Sequence, residues 1–268
     1  MRRAVLVSAA VMSLASVAVG VQSAWAGSRV GTASSAAFGP QRVDIFDVPH
    51  SGLEPAVVAI HGGGWFYGGK MQTDPYCAAW AQDDGVVAFS PNYSLAAYPA
   101  GVNDLRVFLG WLRANASSYG VDPNRILLVG VSAGGNLAGL LYNEPGVTAV
   151  VTWSGPMNIP LFASDPSRDP VFTANLASYV SGGTAVDASP ISMVDPTSPP
   201  TLLINGSNEK IPRAQADSMA AALTADGVAN QEVVLSTALH GDAYAYLTVP
   251  GTGLTVAQYT IDWLLAQS

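Results

Sequence analysis

Cysteine is almost absent from this chain of 268 residues, which contains only Cys77. A single cysteine excludes an intramolecular disulfide. Its neighbours in PYCAAW resemble the start of an apolar helix, where a cysteine is most simply a small buried side chain. No activating group stands beside Cys77 in the sequence, so a cysteine nucleophile has little support.

Basic residues are also few, because 11 lysines and arginines stand against 19 acidic residues and the formal net charge is −8. An acidic, lysine-poor surface argues against nucleic acid and against anionic lipid as partners. Composition alone identifies neither a substrate nor an oligomeric state.

Long apolar runs are confined to the amino terminus. Met1-Arg2-Arg3 is followed by an uncharged apolar run over residues 4–21, and Ala24-Trp25-Ala26 has small residues at both positions that a signal peptidase reads. A retained membrane anchor is the competing interpretation, but the run is short for a membrane span and cleavage signals follow it directly. The sequence therefore predicts a signal peptide over residues 1–26 and a secreted protein without a membrane partner after cleavage.

The remaining chain is expected to form one domain over residues 41–268, preceded by a loosely ordered Ser/Gly/Ala-rich lead over residues 27–40. RVDIFDV (42–48) alternates like an early edge strand, whereas the later apolar runs are continuous, as is typical of strands buried on both faces of a parallel sheet. These continuous runs begin at residues 56, 85, 125, 147, 200 and 231.

Helix candidates lie between the runs, at residues 102–116, 212–227 and 255–267. Alternation of this kind predicts an α/β fold with a mostly parallel central sheet and helices on both faces. Residues 156–199 are irregular and rich in Pro, Asp and Ser, so they could form a cap over a site or a long connection. In such folds ligands bind at the carboxyl ends of the strands.

GVSAGG (130–135) is the strongest chemical signal, because Ser132 stands between a strand and a helix-like segment. Glycines on both sides of a serine permit the sharp turn that exposes a nucleophilic hydroxyl. A small-residue turn with a capping serine is the plainer interpretation. AIHGGGW (59–65) ends another strand, and its glycines leave backbone N–H groups free to face an oxyanion. The Lys-Ser/Thr pair of a phosphate-binding loop is missing there.

The chain has three histidines as candidate bases for Ser132. His50 lies in an early turn and is most simply a surface residue, while His61 belongs to the glycine loop, where it is expected to brace that loop through hydrogen bonds. His240 follows the last strand in STALHGDAY, so it is the best candidate for the general base.

HGGGW, GVSAGG and HGDAY together resemble the α/β-hydrolases, specifically the HGGG-type esterases and lipases that are hormone-sensitive-lipase-like or feruloyl-esterase-like. The resemblance spans about residues 40–268. It implies Ser132 as the nucleophile, His240 as the base, and the N–H groups of Gly63, Gly64 and Ala133 as the oxyanion hole, with Gly62 or Trp65 as alternative donors. It implies no metal and no organic cofactor.

The third triad member is expected after the strand TLLING, where Glu209 stands in NGSNEKIP. This departs from the family pattern, which usually has aspartate there, and the loop before Pro212 is one residue short. A glutamate is one methylene longer and could still reach the histidine. Asp195, Asp217 and Asp226 are poorly placed in the sequence, and Asp242 is too close to His240 for the usual geometry.

The resemblance implies a secreted serine carboxylic ester hydrolase that acts through an acyl-enzyme on small acyl or aryl esters. Alternatives that stay open are a feruloyl or acetyl xylan esterase acting on polymer-linked esters, an acyltransferase, and an arylformamidase. A non-catalytic binding protein on a hydrolase scaffold is the rival from another class. It predicts the loss of a chemical residue, whereas a serine, a histidine and an acid are all present.

Overall fold

The computed structural model describes residues 32–165 and 170–267, so the predicted signal peptide lies outside the described residues. The described chain folds around one eight-stranded sheet with the order β1-β2-β4-β3-β5-β6-β7-β8. The strands are β1 (Thr32–Phe38), β2 (Gln41–Asp47), β3 (Glu54–Ile60), β4 (Val87–Pro91), β5 (Val121–Val131), β6 (Val147–Trp153), β7 (Thr201–Gly206) and β8 (Asn230–Leu235).

The sheet is parallel from β4 to β8, and only β1 and β2 pair antiparallel with their neighbours. Strands β4 and β7 are buried along their whole length, which explains their uninterrupted apolar sequences. The α-helices are α1 (Asp74–Asp83), α2 (Ala100–Asn115), α3 (Ala133–Gly139), α4 (Ile159–Ser164), α5 (Pro170–Val180), α6 (Ala214–Ala225) and α7 (Val256–Leu265).

Helices cover both faces of the sheet, so the predicted architecture is confirmed. Successive residues of β5 enter opposite layers of the core: Leu128 packs on the side of α2, α3 and α6, whereas Leu127 and Val129 pack on the side of α1 and α7. This alternation follows from the two-residue period of a strand. Helix α2 contributes the fully buried stripe that its sequence spacing predicts, including Leu105 and Leu109.

The expectation of a loosely ordered lead is wrong for residues 32–38, which form the edge strand β1. Thr32 pairs with Asp47 and Phe38 with Gln41 in an antiparallel hairpin with β2. Phe38 is 2% exposed and lies 5.0 Å from the ring of Phe108 in α2. The run of Ser and Ala obscured the strand, whose only large anchor is its last residue.

The irregular segment 156–199 contains α4, α5 and a 3-10 helix at Pro190–Met193. Helix α5 contributes residues to the lining of the cleft described below, so this part of the segment covers one side of that cleft. No helix within residues 32–165 or 170–267 is long and apolar enough to cross a bilayer.

Candidate active site

Ser132 stands at the turn between β5 and α3, where the backbone adopts φ 54° and ψ −118°. This left-handed conformation is strained for a non-glycine residue and exposes the side chain above the strand end. Glycines make the turn possible, because a Cβ on Gly130 would lie 2.2 Å from the Gly134 carbonyl oxygen, and one on Gly134 would lie 2.1 Å from that of Ile60. Ser132 N–H donates to the Trp153 carbonyl at 2.8 Å and fixes the turn to β6.

His240 reaches Ser132 from the loop after β8. Its Nε2 lies 2.9 Å from Ser132 Oγ, although the two residues are 108 positions apart in the chain. The histidine side chain is 19% exposed, so it stands at the edge of the cleft. Its ring meets that of Phe172 edge-on at 5.6 Å, which restricts the imidazole on one side.

Glu209 lies on the opposite side of the His240 ring, with Oε2 2.6 Å from Nδ1. Its carboxylate is fully buried. The other oxygen, Oε1, accepts hydrogen bonds from Gly206 N–H at 3.0 Å, from Asn205 Nδ2 at 3.2 Å and from the Tyr244 hydroxyl. Four donors around one carboxylate compensate its burial and fix its orientation.

The competing acids occupy other positions. Asp217 pairs with Arg213 along α6 at 2.9 Å, and Asp195 accepts hydrogen bonds within its own turn. Asp242 lines the cleft, but its Oδ1 accepts from Tyr76 Oη at 3.2 Å rather than from the histidine. Burial raises the pKa of the Asp242 carboxyl above its usual range. Of the four competing acids, the structure shows none bound to His240 Nδ1.

The glycine loop leaves β3 beside Ser132. His61, 1% exposed, stacks on the Tyr93 ring at 4.2 Å, and its Nδ1 lies 2.7 Å from the Gly62 carbonyl oxygen. The sequence predicts this role of His61 in bracing the glycine loop. Burial lowers the pKa of His61 from 6.5 to about 4, so its ring is neutral at pH 7 and Nδ1 carries the proton that Gly62 accepts.

The predicted oxyanion donors lie around the same space. Gly63 and Gly64 line the cleft together with Ser132, and Ala133 is the first residue of α3. Within the described residues, no hydrogen bond occupies the N–H groups of Gly63, Gly64 or Ala133. Unpaired N–H groups next to a nucleophile can donate hydrogen bonds to an oxygen that develops negative charge.

The cleft has a volume of about 280 Å³. The glycine loop forms one wall and the loop carrying His240 forms another. Helix α5 contributes Val171, Phe172 and Asn175. In the described part of the chain, no cluster of three or more His, Cys, Asp or Glu side chains could hold a metal ion.

Three residues of the site are not predicted by the sequence. Tyr244 donates to the buried carboxylate, Phe172 packs on the histidine, and Asn136 binds the residue that follows the glycine loop. Asn136 directly follows GVSAGG, and Tyr244 is the last residue of HGDAY, so the two motifs point to the neighbourhood of both residues. Only their tertiary contacts reveal what each one touches.

Comparison with known proteins places the chain in a family. Residues 43–223 match the BD-FAE family. Carboxylesterase NlhH of Mycobacterium tuberculosis is 32% identical over 224 residues, covering 73% of this chain and 69% of the relative. The probable carboxylic ester hydrolase LipM of the same species is 30% identical, but the match covers 62% of this chain and only 43% of LipM.

Solved structures show the same fold. A hyperthermophilic esterase from Pyrobaculum calidifontis superposes with a TM-score of 0.75 at 24% identity, covering 89% of this chain and 86% of that one. The thermophilic carboxylesterase EstE1, cloned from a metagenomic library, superposes with a TM-score of 0.71 at 22% identity, covering 88% and 87%. These findings confirm the predicted fold and enzyme class. The chain belongs to the BD-FAE family, within the α/β-hydrolases of the esterase/lipase type, and is a serine ester hydrolase.

Proposed function

We propose that this protein hydrolyses small acyl or aryl carboxylic esters through an acyl-enzyme on Ser132. The observation that carries the proposal is the continuous chain of contacts from Ser132 Oγ to His240 Nε2 at 2.9 Å and from His240 Nδ1 to Glu209 Oε2 at 2.6 Å. Nucleophile, base and orienting acid are thus within hydrogen-bonding reach of each other, at the edge of a cleft.

In the first half-reaction Ser132 Oγ attacks the ester carbonyl carbon while its proton passes to His240 Nε2. The carbonyl electron pair moves to oxygen, and the N–H groups of Gly63, Gly64 and Ala133 bind that oxyanion. His240 then protonates the departing alcohol as the tetrahedral intermediate collapses to the acyl-enzyme. Loss of one oxyanion donor typically lowers turnover by about 10²- to 10³-fold.

In the second half-reaction a water molecule gives a proton to His240 and attacks the acyl carbon, which forms a second tetrahedral intermediate. As this intermediate collapses, the bond to Ser132 Oγ breaks, His240 returns the proton to Ser132 and the carboxylic acid product leaves. Glu209 stays ionised throughout, because four donors compensate its charge. It holds Nδ1 protonated, so that Nε2 is free to accept, and it stabilises the imidazolium.

The size of the cleft supports small substrates. About 280 Å³ is just below the range of about 300–1,000 Å³ that is typical of small-molecule sites, and Val171 and Phe172 supply apolar surface for a short acyl chain or an aromatic ring. We therefore expect activity to fall as the acyl chain lengthens beyond what the cleft can enclose.

The test is hydrolysis of p-nitrophenyl esters from acetate to palmitate, with methyl ferulate included, by wild type and Ser132→Ala. We expect the wild type to prefer short acyl chains. The variant should lose activity by at least about 10³-fold while its melting temperature stays close to that of the wild type. Ser192→Ala is the matched control, because Ser192 is outside the cleft lining. Undiminished activity in Ser132→Ala, or none in the wild type on any ester, would overturn the proposal.

We also propose that the protein is exported. The support is the charged start, the apolar run and Ala24-Trp25-Ala26. Expression of the full chain in a bacterial host with an active secretion pathway should release a form that begins at Gly27. Amino-terminal sequencing checks the site, and a cell-bound product that retains Met1 would contradict export with cleavage.

A further inference from the structure

Asn136 is a fully buried polar side chain in α3, four residues after the nucleophile. Its Nδ2 donates to the carbonyl oxygens of Pro156 at 3.0 Å and Ala188 at 2.9 Å. Its Oδ1 accepts from Trp65 Nε1 at 3.2 Å and from the Tyr179 hydroxyl at 3.0 Å. All four hydrogen-bonding positions of the amide are therefore used, and the two donor contacts fix which end is nitrogen.

Trp65 is the first residue with a side chain after the three glycines. Gly63 and Gly64 adopt φ 120° and 57°, and neither has a side chain that could fix it to the core. His61 secures the loop on its upstream side through Gly62. On the downstream side, the first side chain available for this purpose is that of Trp65.

The Trp65 backbone also has a positive φ of 65°, which persists in a non-glycine residue only when its surroundings enforce it. Two contacts do so. The indole ring, 1% exposed, stacks on Tyr179 at 4.1 Å with an angle of 9°, and its N–H is bound by Asn136. The stack restrains the plane of the ring, while the hydrogen bond restrains its position along α3.

We propose that Asn136 is a positioning residue that sets the oxyanion glycines, through Trp65, at a fixed separation from Ser132. The link is short on both sides. Asn136 N–H binds the Ser132 carbonyl at 3.2 Å, and Trp65 directly follows Gly64. Ser132 follows β5 and the glycine loop follows β3, so Asn136 connects two segments that leave different strands. This inference rests on the proposed function and adds the group that aligns the nucleophile with the oxyanion loop.

A positioning role of this kind acts on the transition state rather than on ground-state binding. Oxyanion donors are effective only when they meet the position that the oxygen takes in the tetrahedral intermediate, so a small displacement of the loop lowers kcat. KM should change little, because the apolar surface for the acyl group comes from Val171 and Phe172 of α5 and not from the glycine loop. Loss of a contact with a purely structural role would instead lower the stability of the protein without a fall in kcat at unchanged KM.

The decisive variant is Trp65→Phe, since Asn136→Ala would leave two buried donors and two buried carbonyls unpaired and could prevent folding. Phenylalanine keeps a six-membered aromatic ring for the stack on Tyr179 and removes the indole N–H together with part of the bicyclic ring, a loss of packing that the control variant below shares. We expect kcat on p-nitrophenyl acetate to fall about tenfold, the rate equivalent of about 1.4 kcal/mol, with KM within about twofold.

The second readout is inhibition by a trifluoromethyl ketone. Ser132 Oγ bonds to its carbonyl carbon, the carbonyl electron pair moves to oxygen, and the serine proton passes to His240, so the adduct presents the oxyanion. Its inhibition constant should rise about tenfold in Trp65→Phe, which matches the tenfold fall in kcat.

Trp80→Phe is the matched control. Trp80 is also 1% exposed, and its Nε1 donates to the Ala257 carbonyl at 3.1 Å, but it lies on the opposite face of the sheet. Both variants should lower the melting temperature, and only Trp65→Phe should change kcat and inhibitor affinity. Equal kcat and equal affinity in the two folded variants would overturn the role of Asn136. A wild type that the ketone does not inhibit would instead refute the proposed function.

Discussion

Replacement of Glu209 by glutamine tests the triad most sharply, because the structure dictates which way the amide must point. Oε1 faces three donors, namely Gly206 N–H, Asn205 Nδ2 and the Tyr244 hydroxyl. A glutamine that placed its NH₂ group there would set its N–H groups against two N–H donors and the Tyr244 hydroxyl. The amide oxygen therefore takes the Oε1 position, and the NH₂ group faces His240 Nδ1.

An NH₂ donor at that position forces Nδ1 to accept, so the proton of neutral His240 moves to Nε2. That tautomer cannot accept the proton of Ser132, even though every atom of the triad stays in place. In serine-protease triads the corresponding change from carboxylate to amide lowers kcat by about 10⁴-fold. We expect a similar loss here, which corresponds to about 5 kcal/mol of transition-state stabilisation.

The assay compares kcat on p-nitrophenyl acetate for wild type, Glu209→Gln and the matched variant Glu144→Gln. Glu144 pairs with Arg106 outside the cleft, so its loss should leave kcat within about twofold. Circular dichroism and a thermal melt establish that Glu209→Gln folds. A folded Glu209→Gln with kcat within tenfold of wild type refutes the reasoning, and Asp242→Asn would then be the variant to measure.

Three further outcomes are expected. Gly63→Ala should lower kcat by at least about 10²-fold, because its Cβ would lie 1.9 Å from the Tyr67 carbonyl oxygen and would displace the oxyanion loop. Gly110→Ala is the contrasting variant: its Cβ would enter open space on α2, so it should raise the melting temperature. The low pKa of buried His61 means that the unfolded chain takes up a proton between pH 6.5 and about 4 that the folded chain does not. The free energy of unfolding should therefore fall by about 3 kcal/mol more in wild type than in His61→Gln as the pH drops across that window, measured by urea unfolding at each pH. Burial raises the pKa of the Cys77 thiol, so a thiol reagent should leave the native protein unmodified and Cys77→Ala should keep full activity; rapid labelling would contradict the buried position.

Much of the fold was readable because burial leaves a local pattern. Strands of a sheet covered on both faces must be apolar at consecutive positions, so β4 and β7 could be predicted as strands. Helix α2 and helix α7 repeat their apolar residues at helical spacing for the same reason. Strand β1 left no such signal, since an edge strand of serine and alanine obtains its order from pairing with β2.

The site could be predicted to different depths for different residues. Ser132 and the glycine loop stand in motifs whose chemistry depends on adjacent residues, so a short window of sequence predicts them. The position of Glu209 after a strand predicts it as the acid, but its contact with His240 depends on where two separate loops meet. Tyr244 and Phe172 gave no usable signal, because an aromatic residue in a sequence does not indicate which ring or carboxylate it will touch.

The sequence by itself therefore determined the layered architecture, the sharp turn at Ser132 and the chemical types available for catalysis, since each depends on residues close together in the chain. Only the tertiary structure decided which acid faces His240, what compensates the buried charge of Glu209, and how Asn136 joins the nucleophile to the glycine loop. These contacts link residues tens of positions apart, and their geometry follows from how the strands and helices pack. Sequence spacing does not encode such packing locally.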